Sequence, residues 1–191
     1  MARTKEFDPD AALQRALELF WERGYEATSM ADLVAHLGIA RASIYATYGG
    51  KHELYLKALD RYLQLRDPKV VERLSQPGPA LPALRELMDS YIAETLADRR
   101  GCMVVNAAVE LAPHDRQVAR GVHSSWDVLE TSLTSALTRA RAQGEVPESC
   151  DPRAAARLIL VVLQGIRVLG RTDPDPGRLR DAAEQALASL R

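Results

Sequence analysis

The stretch GIARASIYATYGGK, residues 38–51, decides the fold. Gly38-Ile39 joins two short amphipathic segments, and Gly49-Gly50 breaks the chain again. Before the turn, Ser29-x-x-Asp32 has the form of a capping box with Asp in place of Glu. Met30, Leu33, Val34 and Leu37 then line one apolar side. After the turn, a helix over about 40–47 has few apolar positions: Ile39 at the turn, then Ile44, Tyr45 and Tyr48. Two readings fit a glycine between two such helices. One is an ordinary helical corner; the other is a helix-turn-helix whose second helix enters a DNA groove. On the second reading the stretch is lean, because Arg41 and Lys51 are its two full positive charges.

Outward from this stretch the pattern is helical almost throughout. The chain is rich in Ala, Leu, Arg and Glu, with little strand-like alternation. Asp8 suits an N-cap and Pro9 the first helical position, with Phe7 placed as a staple and Gly24 after the last turn. A fourth helix is expected from Lys51 to about residue 65 or 66, and the Pro/Gly cluster SQPGPALP, residues 75–82, reads as a loop. Further helices are expected over about 81–98, 102–111, 114–143 and 152–170. The last opens at Asp173-Pro174. The fold class is therefore all-α with about nine helices.

Residues 24–62, GYEATSMADLVAHLGIARASIYATYGGKHELYLKALDRY, resemble the N-terminal domain of TetR-family transcriptional repressors. The resemblance runs without a gap through Gly24-Tyr25, Thr28, Asp32-Leu33, Gly38-Ile39, Ser43-Ile44-Tyr45, Tyr48, Lys51 and Leu54. It implies a three-helix DNA-binding domain over residues 1–50, with the fourth helix (about 51–66) as connector. Residues 67–191 then form a helical bundle for ligand binding and dimerisation. The implied function is sequence-specific regulation of transcription, by a repressor that a small-molecule or electrophile signal releases from double-stranded operator DNA.

The DNA-binding candidates are Thr28, Ser29, Arg41, Ala42, Ser43, Tyr45, Thr47, Tyr48 and Lys51. Arg41 can reach guanine O6 and N7, and Ala42 can touch a thymine methyl. Tyr45 and Tyr48 fit either backbone contact or core packing. Helix N-termini carry unpaired N–H groups and a partial positive charge, so the starts of the second, third and fourth helices form a potential phosphate clamp. Arg3 and Lys5 suit a basic arm. Acidic and basic side chains cancel through Arg66, and the whole chain has a formal charge of −1, so binding must come from placement. Three positions depart from the family pattern: Ala40 and Gly50 stand where Ser or Thr often caps, and Val34 where Ala is common.

In the bundle, residues 157–169 are apolar on most sides, which fits a helix buried by its own bundle on one side and a second copy on the other. Interface candidates for a homodimer are Leu158, Val162, Ile166, Leu169, Leu179, Ala183, Ala186 and Leu190. Pocket candidates are Tyr62, Met88, Tyr91, Cys102, Met103, Asn106, His123 and Trp126. Arg66 and Asp127 could also reach in, but read rather as solvated charges. Cys102 follows Arg99-Arg100-Gly101 at a helix start, where a thiolate is favoured. RRGCMVVNAAVE also resembles the branch of the family that includes the N-ethylmaleimide-responsive repressor, which makes Cys102 a redox or electrophile-sensor candidate. The bland alternative is a small buried residue.

Other classes fit less well. The sequence holds no plausible catalytic triad, metal-ligand cluster or Gly-rich phosphate loop, so neither an enzyme nor a bound metal or cofactor is expected. A helical adaptor without DNA binding is the remaining alternative. The charged first ten residues and the lack of a long apolar run lead to the expectation of a cytoplasmic protein.

Overall fold

The computed structural model describes residues 7–172 and 175–191. Among them lie nine helices: α1 (Pro9–Arg23), α2 (Met30–Leu37), α3 (Arg41–Tyr48), α4 (Lys51–Ser75), α5 (Ala80–Ala97), α6 (Met103–Glu110), α7 (Arg116–Ala142), α8 (Pro152–Leu169) and α9 (Pro176–Ala188). No helix among the described residues is long and apolar enough to cross a membrane.

The helix starts follow side-chain chemistry. The carboxylates of Asp8, Asp115 and Asp151 each accept two backbone N–H bonds from the first turn of α1, α7 and α8. Proline follows Asp8 and Asp151 at the first helical position, where its missing N–H costs nothing. In α2, Ser29 and Asp32 complete the reciprocal capping box. The last helix is capped by Asp175 and starts at Pro176, two residues later than the sequence pattern suggests. The expected opening pair Asp173-Pro174, and the basic arm at Arg3 and Lys5, lie outside the described residues.

The fourth helix is longer than expected. It does not stop near residue 66 but runs through Pro68 to Ser75. A proline inside a helix costs roughly 3 kcal/mol. The extension buries Val70 and Leu74, and burying such side chains contributes roughly 1.5–3 kcal/mol each. The two gains together match or exceed the cost, so the helix continues.

The buried side chains form two groups. One joins α5, the later part of α7, α8 and α9, with Val70 and Leu74 of α4. The other joins α1–α3 and the first half of α4 to Cys102, α6, Val118 and Val122. Helix α6 therefore shares its core with the helix-turn-helix.

Acid should weaken the fold. The Asp32 carboxyl is held below its ordinary range by the Ser29 hydroxyl and backbone N–H. Burial pushes Asp115 up, but hydrogen bonds from His52 and the N–H groups of Val118 and Gln117 outweigh it and hold that carboxyl low. Depressed carboxyls stabilise the fold above their unfolded pKa, and this contribution disappears as pH falls through the folded value. Asp67 works the other way, since burial raises it. With Asp98, Glu130 and Glu184 also held low, the depressed group dominates. The thermal midpoint is expected to fall once pH drops below about 4. A midpoint that rises on acidification from 5 to 3 would contradict these pairings.

Candidate nucleic-acid interface and its link to the bundle

Helix α3 stands on the core through Ile44 and Tyr48. Tyr48 is not a DNA-facing residue: it is buried, and its hydroxyl donates to the Pro9 carbonyl at 2.7 Å. The Arg15 guanidinium donates to the Leu37 carbonyl at 3.0 Å, which ties α1 to the end of α2. What α3 leaves in solvent is Arg41, Ala42, Tyr45 and Ala46, with Ser43 and Thr47 half-buried at the edges. The Arg41 guanidinium lies 5.8 Å from the centre of the Tyr45 ring, so the two long side chains of this face support each other. Ala46 belongs to the same face and escaped the sequence reading because alanine carries no chemical signal.

Two expected phosphate donors are already engaged. Thr28 is fully buried and its hydroxyl donates to the Gly24 carbonyl at 2.7 Å. Ser29 is exposed, but its hydroxyl and backbone N–H both go to the Asp32 carboxylate. The N-termini of α3 and α4 differ. Ala40 and Gly50 occupy the cap positions, and neither helix has a side-chain cap. The first N–H groups of these helices are left without a side-chain acceptor.

Backbone geometry explains Gly50. Its φ is +152°, where L side chains are strained, and a Cβ there would sit 3.0 Å from the Glu53 carboxylate. Serine cannot take this position without cost. The half-buried Lys51 follows, with its ammonium 4.0 Å from the centre of the Tyr25 ring. That ring holds the charge at the mouth of the α4 N-terminus.

Several contacts lock this module to the bundle. The Glu110 carboxylate, at the end of α6, accepts the backbone N–H groups of Tyr25 and Glu26 at 3.1 and 2.9 Å. Gly24 makes room for it: its φ is +87°, and a Cβ would meet the Glu110 carboxylate at 2.9 Å. His52 Nε2 and Asp115 Oδ2 are 2.5 Å apart. The Trp21 indole N–H donates to the Gly101 carbonyl at 2.9 Å, and the Arg100 guanidinium stacks 4.0 Å from the centre of the Trp21 ring.

Comparison with known proteins decides the family. Residues 12–58 match the profile of bacterial regulatory proteins of the tetR family, and residues 80–187 match the tetracyclin repressor-like C-terminal domain. An uncharacterised HTH-type transcriptional regulator of Bacillus subtilis, YezE, is 38% identical over 100% of both chains. The chain belongs to the TetR family.

Two further likenesses agree. The HTH-type transcriptional repressor ComR of Escherichia coli is 31% identical, over 97% of this chain and 90% of its own. A cysteine mutant of the TetR-family regulator CifR, solved with a 26-bp double-strand operator DNA, superposes with a TM-score of 0.87 at 30% identity over 100% of both chains. This TetR-family protein is accordingly a helix-turn-helix DNA-binding transcriptional regulator.

In the TetR bundle the pocket candidates scatter. Met88 and Met103 are core residues. His123 does not face the interior: it is exposed on α7, its ring 6.0 Å from that of Trp126. Asn106 accepts from Arg171 and donates to the Arg100 carbonyl, and it lines an outer recess of about 390 Å³ with Val105, Val109, Glu110 and Val168. Trp126 is partly buried, and its indole N–H lies buried without a hydrogen-bond partner.

Tyr62, Tyr91 and Cys102 do come together, around two arginines. The Tyr62 hydroxyl lies 3.6 Å from Cys102 Sγ, and Cys102 is only 1% exposed. Arg66, expected in solvent, is largely buried and donates to the Tyr91 hydroxyl. Arg167 of α8 is 5% exposed and stacks 4.4 Å from the centre of the Tyr91 ring. Burial pushes the Cys102 thiol up. The Arg66 charge, the Val105 N–H, the Arg167 charge and the Tyr62 hydroxyl outweigh it and hold the thiol below its ordinary range.

The dimer candidates divide by exposure. Leu158 and Leu169 are exposed and Val162 is half-buried. Ile166, Leu179, Ala183, Ala186 and Leu190 are instead buried in their own bundle. Helix α9 has a single apolar face, and that face is needed inside. The sequence reading missed Val161 and Val168, which are 65% and 50% exposed and lie along α8 with Leu158 and Leu169.

Proposed function

We propose that this regulator binds its operator as a homodimer and is released by a signal received in the bundle. The observation that carries this reading is the position of α6. It starts beside Cys102, ends at Glu110, and packs into the core of the helix-turn-helix. A displacement at Cys102 therefore pulls on the carboxylate that holds the Tyr25–Glu26 turn. Two recognition helices held at a fixed separation fit successive major grooves, roughly 34–36 Å apart or a multiple of that. A shift in their spacing favours release, and the signal acts by differential affinity for the two states.

In this reading residues 1–50 contact the operator, α4 connects, and residues 67–191 receive the signal and dimerise. Arg41, Ala42, Ser43, Tyr45 and Thr47 face the bases and their flanks, with Ala46 among them. The uncapped starts of α3 and α4 and the Lys51 ammonium hold phosphates. The caps absent at Ala40 and Gly50 thereby acquire a use, because an N–H already bonded to a serine hydroxyl is a poorer donor to DNA.

Cys102 is the residue through which an electrophile would act. Its thiolate adds to an activated C=C: a C–S bond forms, the π electrons move to the neighbouring carbon, and that carbon takes a proton. Operator affinity measured before and after N-ethylmaleimide treatment tests this step. Treatment is expected to weaken binding by the wild type at least about tenfold, the size of a typical allosteric coupling. Cys102→Ser should keep its affinity. An equal loss in Cys102→Ser would assign the response elsewhere, and no loss in either would leave a reversible ligand as the signal.

A further inference from the structure

The bundle holds more buried positive charge than a protein interior usually tolerates. Arg66 and Arg167 both lie against the Tyr91 ring, with guanidinium carbons 5.3 and 4.4 Å from its centre. Buried charges are expected to be paired and fully hydrogen-bonded. Besides the Cys102 thiol, which both favour as thiolate, their carboxylate partners are shared or exposed. Arg66 has Asp67 at 3.7 Å, but Asp67 also accepts from Ser125 at 3.0 Å, and burial disfavours its ionised form. Arg167 donates to Thr95 and to Glu94, yet the Glu94 side chain is 62% exposed and can leave into water. Arg167 Nε is buried with no acceptor.

A recess of about 70 Å³ opens between α4 and α5 beside this cluster. Arg66, Lys69 and Arg73 line it with Tyr91, and Glu94 is the carboxylate among its lining residues. Val70 and Leu87 give it an apolar side. A guanidinium presents two parallel N–H donors that match a carboxylate. A group of that size, with a short carbon body, suits the volume.

We propose that the reversible signal read by this bundle is a small organic carboxylate, seated in the recess against Tyr91 beside Arg66 and reaching Arg167, which Glu94 otherwise separates from the recess. The proposal rests on the reading of the chain as a signal-released repressor and names the chemistry of the signal. The carboxylate takes the place of Glu94 on Arg167 and supplies the charge that Asp67 gives only in part. Its carbon body lies on Val70 and Leu87. The bound anion then draws together α4, which begins at the helix-turn-helix, and α8, which carries the exposed apolar face.

The test uses the full chain and an operator fragment selected from a random DNA pool. Propionate, benzoate and glutarate are compared with propionamide, benzamide and glutaramide, and with inorganic phosphate, all at matched ionic strength. Thermal midpoint and operator affinity are both read. At least one carboxylate is expected to raise the midpoint and release the DNA at concentrations where its amide does neither. In Arg167→Lys and Arg66→Lys that carboxylate should bind about tenfold more weakly, since a bidentate pair is lost. Operator affinity without ligand should stay unchanged.

If either variant fails to fold, the comparison of carboxylate with amide in the wild type still decides. Amides as effective as their acids, or no effect from any carboxylate, would overturn the proposal and leave the regulator reading intact. Release by phosphate alone would overturn the carboxylate assignment. A ligand-free protein that selects no DNA would instead overturn the reading beneath it.

Discussion

Val161→Glu should yield a monomer that binds its operator about a hundredfold more weakly, the lower end of what linking two binding modules contributes. Val161 is 65% exposed in the centre of the α8 face made by Leu158, Val168 and Leu169. An exposed apolar face of this kind marks a contact with another molecule. In a two-fold interface the same patch is buried on both copies, so one substitution places two carboxylates in a seam where apolar side chains should meet. The folded monomer should survive, because the side chain points away from its own core. Sedimentation of the variant and of the wild type, together with operator affinity, checks both halves of this expectation. A variant that stays dimeric would move the interface elsewhere on the surface. A monomer of undiminished affinity would show that one recognition helix is enough.

Arg41→Ala should reduce affinity for the selected operator by about tenfold to a hundredfold, the range of a good bidentate base contact. Affinity for unrelated DNA should change much less. Arg41 is the full positive charge on the exposed face of α3, and the Tyr45 ring beneath it limits where the guanidinium can swing. Lys51 offers the contrast. It stands at the start of α4 on the Tyr25 ring, and on the proposed reading it contacts phosphate and not a base. Its removal should weaken all DNA alike and flatten the dependence on salt. Equal losses on both DNAs after Arg41→Ala would reassign that residue to the backbone.

Much of the fold was legible because caps and periodicity are local. Asp8-Pro9, Ser29 with Asp32, and Asp151-Pro152 each mark a helix start within a residue of where it falls. Pro68 misled, because the local penalty of a proline is visible in the sequence and the burial of Val70 and Leu74 that offsets it is not. Thr28 misled for a similar reason. A hydroxyl at a helix start looks free until the Gly24 carbonyl is found beneath it.

The bundle was harder to read. Arg66 and Arg167 carry the charge of surface residues, and only the tertiary fold brings them to the Tyr91 ring. The link from α6 to the helix-turn-helix joins residues about eighty-five positions apart through a carboxylate on two backbone N–H groups. No side-chain pattern in the sequence announces such a bond. The sequence of α8 is apolar on most sides, but which residues face out depends on where α5 and α7 pack. That is why Val161 and Val168 went unnoticed while Ile166 was misplaced.

The central claim is that two copies of α3 read two half-sites on one face of the DNA. Hydroxyl-radical footprinting of the full chain on a site selected from a random pool tests it most directly. The account predicts a two-fold symmetric footprint with two protected segments, separated by about one helical turn or a whole multiple of it. Arg41→Ala should weaken the preference for that site by about tenfold to a hundredfold. A single asymmetric protected segment, or a pool that yields no preferred sequence, would contradict it.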